Sequence, residues 1–331
     1  MIQPCSRWLQ AGRPSRDTIK DAIQERKTAG KEIFDITIGD PVVWGFTYQD
    51  LSKHLVDAAR GGWHMYPVSS PWEGELRIAI TEFEKKYRGV DYSADKVVLA
   101  PGVAAALSIL QYAILDQGDE VIAVDPSHFL TGPTSYWAYI GARPVPCKAL
   151  EEEGWRPDLN EIRRKTTSKT KAIFINSPNN PTGAVYGEKM LKEIVNIAGQ
   201  HNIPVISDEI YGLITFDGAK AISTPTISGE VPVIVLSGMS KIFMRTGWRV
   251  GYMCIHDPRG NLNDVTKVIR KVANMYGHGS TCMPTPILAA AAGAYKNSVE
   301  QEPREIREMI QELQTRKDYT MKRFREMDGI G

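Results

Sequence analysis

Three polar residues that could do chemistry each follow a short apolar segment of this sequence. Asn176 ends AIFIN, Asp208 ends IPVISD, and Lys241 follows VPVIVLS in the stretch LSGMSKIFMRTGWRVGY. In open α/β sheets, functional groups collect at the carboxyl ends of the strands. The sequence therefore predicts that these three side chains lie close together, with Tyr211 three residues beyond Asp208 and Arg249 eight residues beyond Lys241.

The lysine indicates a particular kind of chemistry because the sequence lacks the motifs of several other enzyme classes. No GxxxxGK[ST], HExxH or GxSxG motif occurs, and no GxGxxG follows a strand-like segment. The four cysteines have no CxxC or Cys/His spacing, so we expect no metal site. A central lysine without a metal or a Ser/His pair is typical of Schiff-base catalysis.

Each residue also has a structural interpretation. Asn176 and the PNNPTG run could build turns, Asp208 could cap a helix, and Lys241 could be an ordinary solvated lysine. Arg249 could belong to a surface ion pair. Because all these residue types occur together at strand ends, the sequence favours a functional site over the separate structural roles.

The pattern of elements predicts an α/β fold. Apolar segments alternate with amphipathic helical stretches, which indicates a mostly parallel sheet covered by helices on both faces. The strand-like segments are 96–100, 120–126, 172–178, 203–209, 231–237 and 250–255. Residues after 283 and residues 14–33 have helical patterns. We therefore predict a large domain over 36–283 and a small α-rich domain from 1–35 with 284–331.

The bulk composition excludes several partners. The chain has 331 residues with 40 Lys and Arg against 39 Asp and Glu, a net charge of +1. This balance gives no electrostatic case for nucleic acid or a membrane surface. No apolar run reaches the ~18 residues of a membrane span, and the N-terminus has no signal-like apolar segment. We expect a cytoplasmic protein.

Six motifs together carry a resemblance to a known family. The chain resembles the fold-type I pyridoxal-phosphate aminotransferases of class I/II, the group of the aspartate and alanine aminotransferases. The similarity runs from about Ile36 to the last residue and includes Tyr66 ahead of ELRIAI, with the motifs ITIGDP, PGVAAAL, NSPNNPTG, SDEIY and SGMSKIFMRTGWRVGY. It implies a seven-stranded-type sheet, pyridoxal 5′-phosphate as the cofactor, and a homodimer.

The resemblance also implies roles for the residues of the site. Lys241 would hold the cofactor as an internal aldimine and carry the transferred proton, and Asp208 would keep the pyridine nitrogen protonated. Tyr211 and Asn176 would donate hydrogen bonds to the phenolate oxygen of the ring. The phosphate would be held by Arg249, by Ser240, and by the helix amides of Gly102, Val103 and Ala104.

Three further residues match the family less directly. His128 lies where relatives commonly place an aromatic residue that stacks on the ring. Tyr66 matches a tyrosine that reaches the phosphate of the other subunit's cofactor, and Gly39 matches a backbone contact to the substrate carboxylate. The chain stops at Gly331, before the carboxylate-binding arginine of the family, so we expect an incomplete small domain.

Three functions remain open at this point. The first is transamination between an α-amino acid and a 2-oxo acid. The second is a pyridoxal-phosphate lyase on the same fold, because fold and cofactor do not fix the reaction. The third is a truncated relative that binds the cofactor with little turnover.

Overall fold

The computed structural model describes residues 15–33, 39–46, 51–128, 136–275 and 283–329. Its eight strands are β1 (Val97–Ala100), β2 (Glu120–Asp125), β3 (Arg143–Leu150), β4 (Arg156–Pro157), β5 (Thr170–Asn176), β6 (Val205–Asp208), β7 (Val233–Gly238) and β8 (Gly251–His256). Its helices are α1 (Ser15–Thr28), α2 (Ser52–Arg60), α3 (Trp72–Arg88), α4 (Val103–Ile114), α5 (Leu159–Lys165), α6 (Glu188–Gln200), α7 (Met239–Ile242), α8 (Asn263–Met275), α9 (Thr285–Glu300) and α10 (Arg304–Arg325).

The strands form one sheet in the order β1-β8-β7-β6-β5-β2-β3-β4. The central strands β7, β6, β5, β2 and β3 are parallel, and β8 is antiparallel to both of its neighbours. Strand β4 adds only two residues, antiparallel to β3. The predicted mostly parallel α/β sheet is confirmed, with β4 as a short addition to seven longer strands.

Helices cover both faces of the sheet because successive side chains of a strand point to opposite sides. On one face Val205 and Val233 pack with apolar residues of α3, α6 and α9. On the other face Ile206 and Ile234 pack with α4 and α8. Both faces are apolar along the central strands, which explains the continuous apolar runs of the sequence.

Helix α9 lies on the first of these faces, against α3. The rings of Phe83 in α3 and Tyr295 in α9 meet edge to face with centroids 5.1 Å apart. Tyr295 also contacts Phe243, just after α7, at 4.9 Å. Helix α9 therefore shares the core of the sheet. The division of the chain into 36–283 and 1–35 with 284–331 stays a prediction, and residues 1–14 and 34–38 lie outside the described residues.

None of the helices in the described ranges combines the length and the apolar character needed to cross a membrane. In the same ranges, no group of three or more His, Cys, Asp and Glu side chains is arranged to hold a metal ion.

Candidate active site

The carboxyl ends of β5, β6 and β7 meet at one edge of the sheet. Asn176 is paired with Asp208 across β5 and β6, and Asp208 is paired with Leu236 across β6 and β7. Lys241 lies in α7, three residues beyond the end of β7. Strand β1 ends at the same edge, because Ala100 pairs with Gly251 and Gly251 pairs with the last residue of β7.

A cavity of about 380 Å³ opens at this edge. Nine of the predicted cofactor residues line it: Val103, Ala104, His128, Asn176, Asp208, Tyr211, Ser240, Lys241 and Arg249. Four residues without a predicted role also line it: Leu107, Asn180, Ile210 and Thr246. The spacing of the motifs therefore brings one set of side chains into one pocket.

The amine of Lys241 is half-buried at the cavity wall. Its Nζ donates a hydrogen bond to the carbonyl oxygen of Gly39 at 2.5 Å and lies 6.0 Å from the centroid of the Tyr211 ring. Burial lowers the pKa of Lys241; the charge of Asp40 opposes this shift and the charge of Arg249 adds to it. A lowered pKa increases the neutral fraction of the amine, which is the form that acts as a nucleophile or a base.

Asp208 faces the cavity with little compensation for its charge. Its side-chain Oδ1 accepts one hydrogen bond, from the Ile210 amide at 3.1 Å. Burial raises the pKa of Asp208 to about 7, although the hydrogen bond from Ile210 lowers it. A cation in the cavity would stabilise the carboxylate and bring this pKa back down.

The opposite end of the cavity is suited to an anion. Helix α4 begins directly after Gly102, so the amides of Val103 and Ala104 are among those at its N-terminus that have no acceptor within the helix. The guanidinium of Arg249 is held beside them by hydrogen bonds from Nη1 to the Thr246 carbonyl at 2.7 Å and from Nη2 to the Pro101 carbonyl at 3.4 Å. Ser240 lines the same cavity.

Arg249 occupies an unfavourable backbone conformation to reach this place. Its φ of 55° and ψ of 44° lie in the left-handed region, which non-glycine residues rarely adopt. Such strain persists where the surrounding structure imposes it, and it is frequent at functional sites. The observation supports a role for Arg249 beyond a surface ion pair.

The two asparagines of the cavity differ in what their side chains contact. The Asn176 carboxamide contacts the backbone: Nδ2 donates to the Asp208 carbonyl at 3.0 Å and Oδ1 accepts from the Asn180 amide at 2.8 Å. Its predicted hydrogen bond to the phenolate oxygen of the cofactor stays a prediction. Asn180 instead directs Nδ2 toward the hydroxyl of Tyr211, at 3.4 Å. Burial raises the pKa of Tyr211 to about 12, so this hydroxyl keeps its proton at neutral pH.

Sequence reasoning missed Asn180. It is the last of three asparagines in NSPNNPTG, and the turn-forming character of that run hid the difference between them. Only the folded turn shows which carboxamide is committed to the backbone and which one reaches the hydroxyl of Tyr211.

The remaining predicted residues lie in different places. His128 is exposed at the cavity rim, and Gly39 contributes the carbonyl that accepts from Lys241. Gly102 precedes α4 and lies next to Arg249. Tyr66 is 69% exposed and does not line the cavity of its own protomer. Its predicted place at the partner's phosphate stays a prediction.

The donor set fits pyridoxal 5′-phosphate. One end of the cavity has an arginine, a helix N-terminus and a serine hydroxyl, which suit a phosphate. The other end has a carboxylate with no cationic partner among the described residues of the cavity, which suits a protonated ring nitrogen. The same cavity also has a protonated tyrosine hydroxyl and an amine of lowered pKa, which suit a phenolate oxygen and an aldehyde.

Comparison with known proteins agrees with this geometry. Residues 33–331 match the family model of the class I and II aminotransferases. The chain is 31% identical over 246 residues to an alanine aminotransferase of Mycobacterium bovis, and this match covers 74% of the chain and 57% of that relative's length. It is 30% identical over 300 residues to an aspartate aminotransferase of Bacillus subtilis, covering 87% of the chain and 70% of the relative.

A solved structure extends the similarity to the fold. The chain superimposes on an alanine aminotransferase from Pyrococcus furiosus with a TM-score of 0.88 and 38% identity, over 99% of this chain and 80% of that one. Members of the matched family use pyridoxal phosphate. The chain thus belongs to the class I and II aminotransferase family.

Proposed function

We propose that this protein is a pyridoxal-phosphate-dependent aminotransferase that moves an amino group between an α-amino acid and a 2-oxo acid. The observation that carries the proposal is the cavity in which Lys241, Asp208 and Arg249 converge with the N-terminus of α4. The family assignment supports the same reaction class.

Each end of the cavity has a separate task in binding. Arg249, Ser240 and the first amides of α4 hold the phosphate. The Asp208 carboxylate holds the proton of the ring nitrogen, which also satisfies its own buried charge. Tyr211 would donate a hydrogen bond from its hydroxyl to the phenolate oxygen, while Asn180 fixes that hydroxyl and Asn176 fixes the turn. His128, which lies at the rim, would stack on the ring.

Lys241 moves the proton during the reaction. When bound, pyridoxal phosphate supplies a carbonyl that condenses with amines and a ring that takes up the electrons left when the α-carbon loses its proton. The lowered pKa of Lys241 keeps part of its amine neutral, and the neutral Nζ can accept the proton from the substrate α-carbon. Gly39 lies beside this Nζ, so a substrate carboxylate bound at the Gly39 amide would place the α-carbon near the amine.

The substrates, the assembly and the cellular location belong to the proposal as well. The relatives are named as aminotransferases of alanine and of aspartate, so these two amino acids are the first donors to test. We place the protein in amino-acid metabolism, in biosynthesis, in the cytoplasm. We also propose a homodimer in which Tyr66 of one protomer reaches the cofactor site of the other.

A spectroscopic half-reaction tests the proposed function. The purified protein is mixed with pyridoxal phosphate, and its visible absorbance is recorded before and after addition of each of the common amino acids. We expect a visible band that is absent in Lys241→Ala and kept in Lys192→Ala, a change at an exposed lysine of α6. The band should shift when a donor amino acid is added and return with a 2-oxo acid.

The products separate the three candidate functions. A new amino acid formed from 2-oxoglutarate supports transamination, whereas pyruvate with ammonia would show a lyase. Stoichiometric cofactor with no spectral change for any amino acid would show a binding relative with little turnover. A wild-type protein that takes up no cofactor would refute the proposal.

A further inference from the structure

A buried arginine contacts the residue that follows Asp208 without lining the cavity itself. Arg88 is the last residue of α3, and its side chain is only 3% exposed. Its Nε lies 3.3 Å from Glu84 Oε1 and its Nη1 lies 2.9 Å from Glu209 Oε2. A buried guanidinium is expensive to desolvate unless its donors are paired, so its position here is narrowly defined.

The guanidinium joins the ends of the two strands that carry the reactive pair. Nη2 donates to the Glu209 carbonyl at 3.0 Å and to the hydroxyl of Ser237 at 2.9 Å. Glu209 directly follows Asp208 at the end of β6. Ser237 belongs to β7, four residues before Lys241. One planar group thus connects the backbone next to the carboxylate with the strand that leads to the amine.

The side chain of Glu209 is itself fixed from a second direction. Its Oε1 accepts hydrogen bonds from the Thr224 amide at 2.9 Å and from the Ser207 hydroxyl at 3.0 Å. Gly212 closes the other side, because a Cβ at this position would lie 2.9 Å from Arg88 Nη1. Successive residues of a strand point to opposite faces, so Glu209 points away from the cavity while Asp208 faces it.

We propose that Arg88 is a positioning residue for the reactive pair: through Glu209 and Ser237 it holds Asp208 and Lys241 at a fixed separation. The inference rests on the proposed function of the cavity. Arg88 itself touches neither the cavity nor a reacting atom. Its planar guanidinium, a fork of N–H donors, donates to three fixed acceptors, namely Glu209 Oε2, the Glu209 carbonyl and the Ser237 hydroxyl. The single ammonium group of a lysine cannot reproduce this arrangement.

Charge accompanies this geometric role. Burial raises the pKa of Asp208, the charge of Glu209 raises it further, and the charge of Arg88 lowers it. Without Arg88 the pKa of Asp208 would rise further, and the carboxylate would protonate at a higher pH. Among the described residues, the other titratable groups that line the cavity with Asp208 are Tyr211 beyond β6, Lys241 in α7, Arg249 before β8 and His128 after β2.

Three variants separate the fork from the charge. Arg88→Lys keeps a positive charge but loses the fork, Arg88→Gln loses both, and Ser237→Ala removes only the connection to β7. The matched control is Arg77→Lys, because Arg77 lies on the same helix and pairs with Glu73 at 3.3 Å within that helix. Circular dichroism at 20 °C establishes that each variant is folded.

Two readouts are measured on the folded variants. The first is the dissociation constant for pyridoxal phosphate, followed by visible absorbance between pH 5.5 and 8.5. The second is the ionisation of the Asp208 carboxyl in the cofactor-free protein, followed by ¹³C NMR and assigned with Asp208→Asn. The second readout needs no cofactor, so it tests Arg88 even if the wild-type protein fails to take up pyridoxal phosphate and the proposed function falls.

For Arg88→Lys we expect a dissociation constant about tenfold higher than that of the wild type, from the loss of charge-assisted hydrogen bonds. In Arg88→Gln, which also loses the positive charge, we expect the pH below which affinity falls and the titration midpoint of Asp208 to move upward. Arg88→Lys keeps the charge and should leave this midpoint close to that of the wild type. Ser237→Ala should weaken binding about threefold with an unmoved midpoint, and Arg77→Lys should match the wild type. A folded Arg88→Lys protein with wild-type affinity, or a folded Arg88→Gln protein with an unmoved Asp208 midpoint, would overturn the inference, as would an equal effect in Arg77→Lys.

Discussion

At the scale of single residues, the site is organised around a carboxylate that is poorly stabilised on its own. Asp208 has one hydrogen bond from Ile210, a negative neighbour in Glu209 and a pKa of about 7. A buried carboxylate with so few stabilising contacts gains the most stability from a cationic ligand. The same burial lowers the pKa of Lys241. The pKa of Asp208 is therefore raised and that of Lys241 is lowered, so both shifts favour the neutral form of the group. Such opposite pKa shifts are typical of acid–base pairs in active sites.

The raised pKa of Asp208 predicts a pH dependence of stability. Its usual value is 3.8, so between about pH 4 and 7 the folded cofactor-free protein binds more protons at this site than the unfolded chain does. Stability contributed by the neutral acid is lost as the pH rises through this window. Because an asparagine does not ionise, Asp208→Asn should gain in melting temperature relative to the wild type from pH 5 to pH 8, measured without cofactor.

A matched carboxylate provides the control for this measurement. Asp217 is exposed and pairs with Lys317, and that hydrogen bond lowers its pKa. Asp217→Asn should therefore show no growing gain over the same pH range. If the melting temperatures of Asp208→Asn and the wild type ran parallel from pH 5 to pH 8, the ionisation of Asp208 would not be penalised by folding.

At the scale of elements, the anion end depends on a close approach between β8 and the start of α4. A Cβ on Gly251 would lie 2.7 Å from the Cα of Gly102, so no larger residue fits between them. Gly102 has a φ of +91°, and a Cβ on it would overlap Nη2 of Arg249. The junction therefore brings the helix amides and the guanidinium close together only if both positions are glycine, and we expect both groups to bind the same anion.

Gly102→Ala should separate the guanidinium from the helix N-terminus. We expect the affinity for pyridoxal phosphate to fall about tenfold or more, because charge-assisted hydrogen bonds to the phosphate are lost, while the affinity for pyridoxal changes little. The ratio of the two dissociation constants isolates the phosphate contacts. Gly89→Ala is the control: its φ is +71° with nothing within 4 Å of its Cβ, so it imposes similar backbone strain away from the anion. An unchanged ratio in Gly102→Ala would contradict this account.

The elements also show what the sequence could and could not predict. The strands β1, β2, β5, β6, β7 and β8 were predictable because their apolar runs are buried on both faces. Strand β3 was missed because RPVPCKAL contains Pro144 and Pro146, which usually disfavour strands. Because these prolines are two residues apart, their nitrogens, which carry no hydrogen to donate, face the same side of the strand. The short β4 covers only Ala149 and Leu150 of β3, so β3 tolerates both prolines near the edge of the sheet.

For the site, residue type and order were enough to predict which side chains converge, since parallel strands bring their carboxyl ends together. The hydrogen-bond partners of these side chains were not predictable. Asn176 and Asn180 are the same residue type four positions apart, yet only folding assigns one to the backbone and the other to Tyr211. Arg88 was also missed, because its partner Glu209 is 121 residues away in the chain and no local pattern links them.

At the scale of the whole molecule, two segments ahead of α3 expose large apolar side chains. Val43 is 65% exposed, Tyr66 69% and Val68 60%. Exposed apolar residues grouped in this way favour a contact with another protein chain. The proposed homodimer would cover them and would bring Tyr66 to the phosphate of the neighbouring site, which the cavity of its own protomer does not include.

Mixing two inactive or weakened variants tests whether Tyr66 acts across the dimer. Lys241→Ala should abolish the proposed covalent attachment, and Tyr66→Phe should weaken the binding of pyridoxal phosphate about tenfold by removing one hydrogen bond to a charged group. After subunit exchange, a mixed dimer combines Lys241 of one protomer with Tyr66 of the other in one intact site. We expect visible absorbance at a cofactor concentration that leaves each variant alone unloaded.

Lys241→Ala mixed with Asp208→Asn should show no such recovery, because Lys241 and Asp208 line the same cavity of one protomer. If the Tyr66→Phe mixture also failed to recover while sedimentation showed mixed dimers, Tyr66 would not reach the neighbouring site.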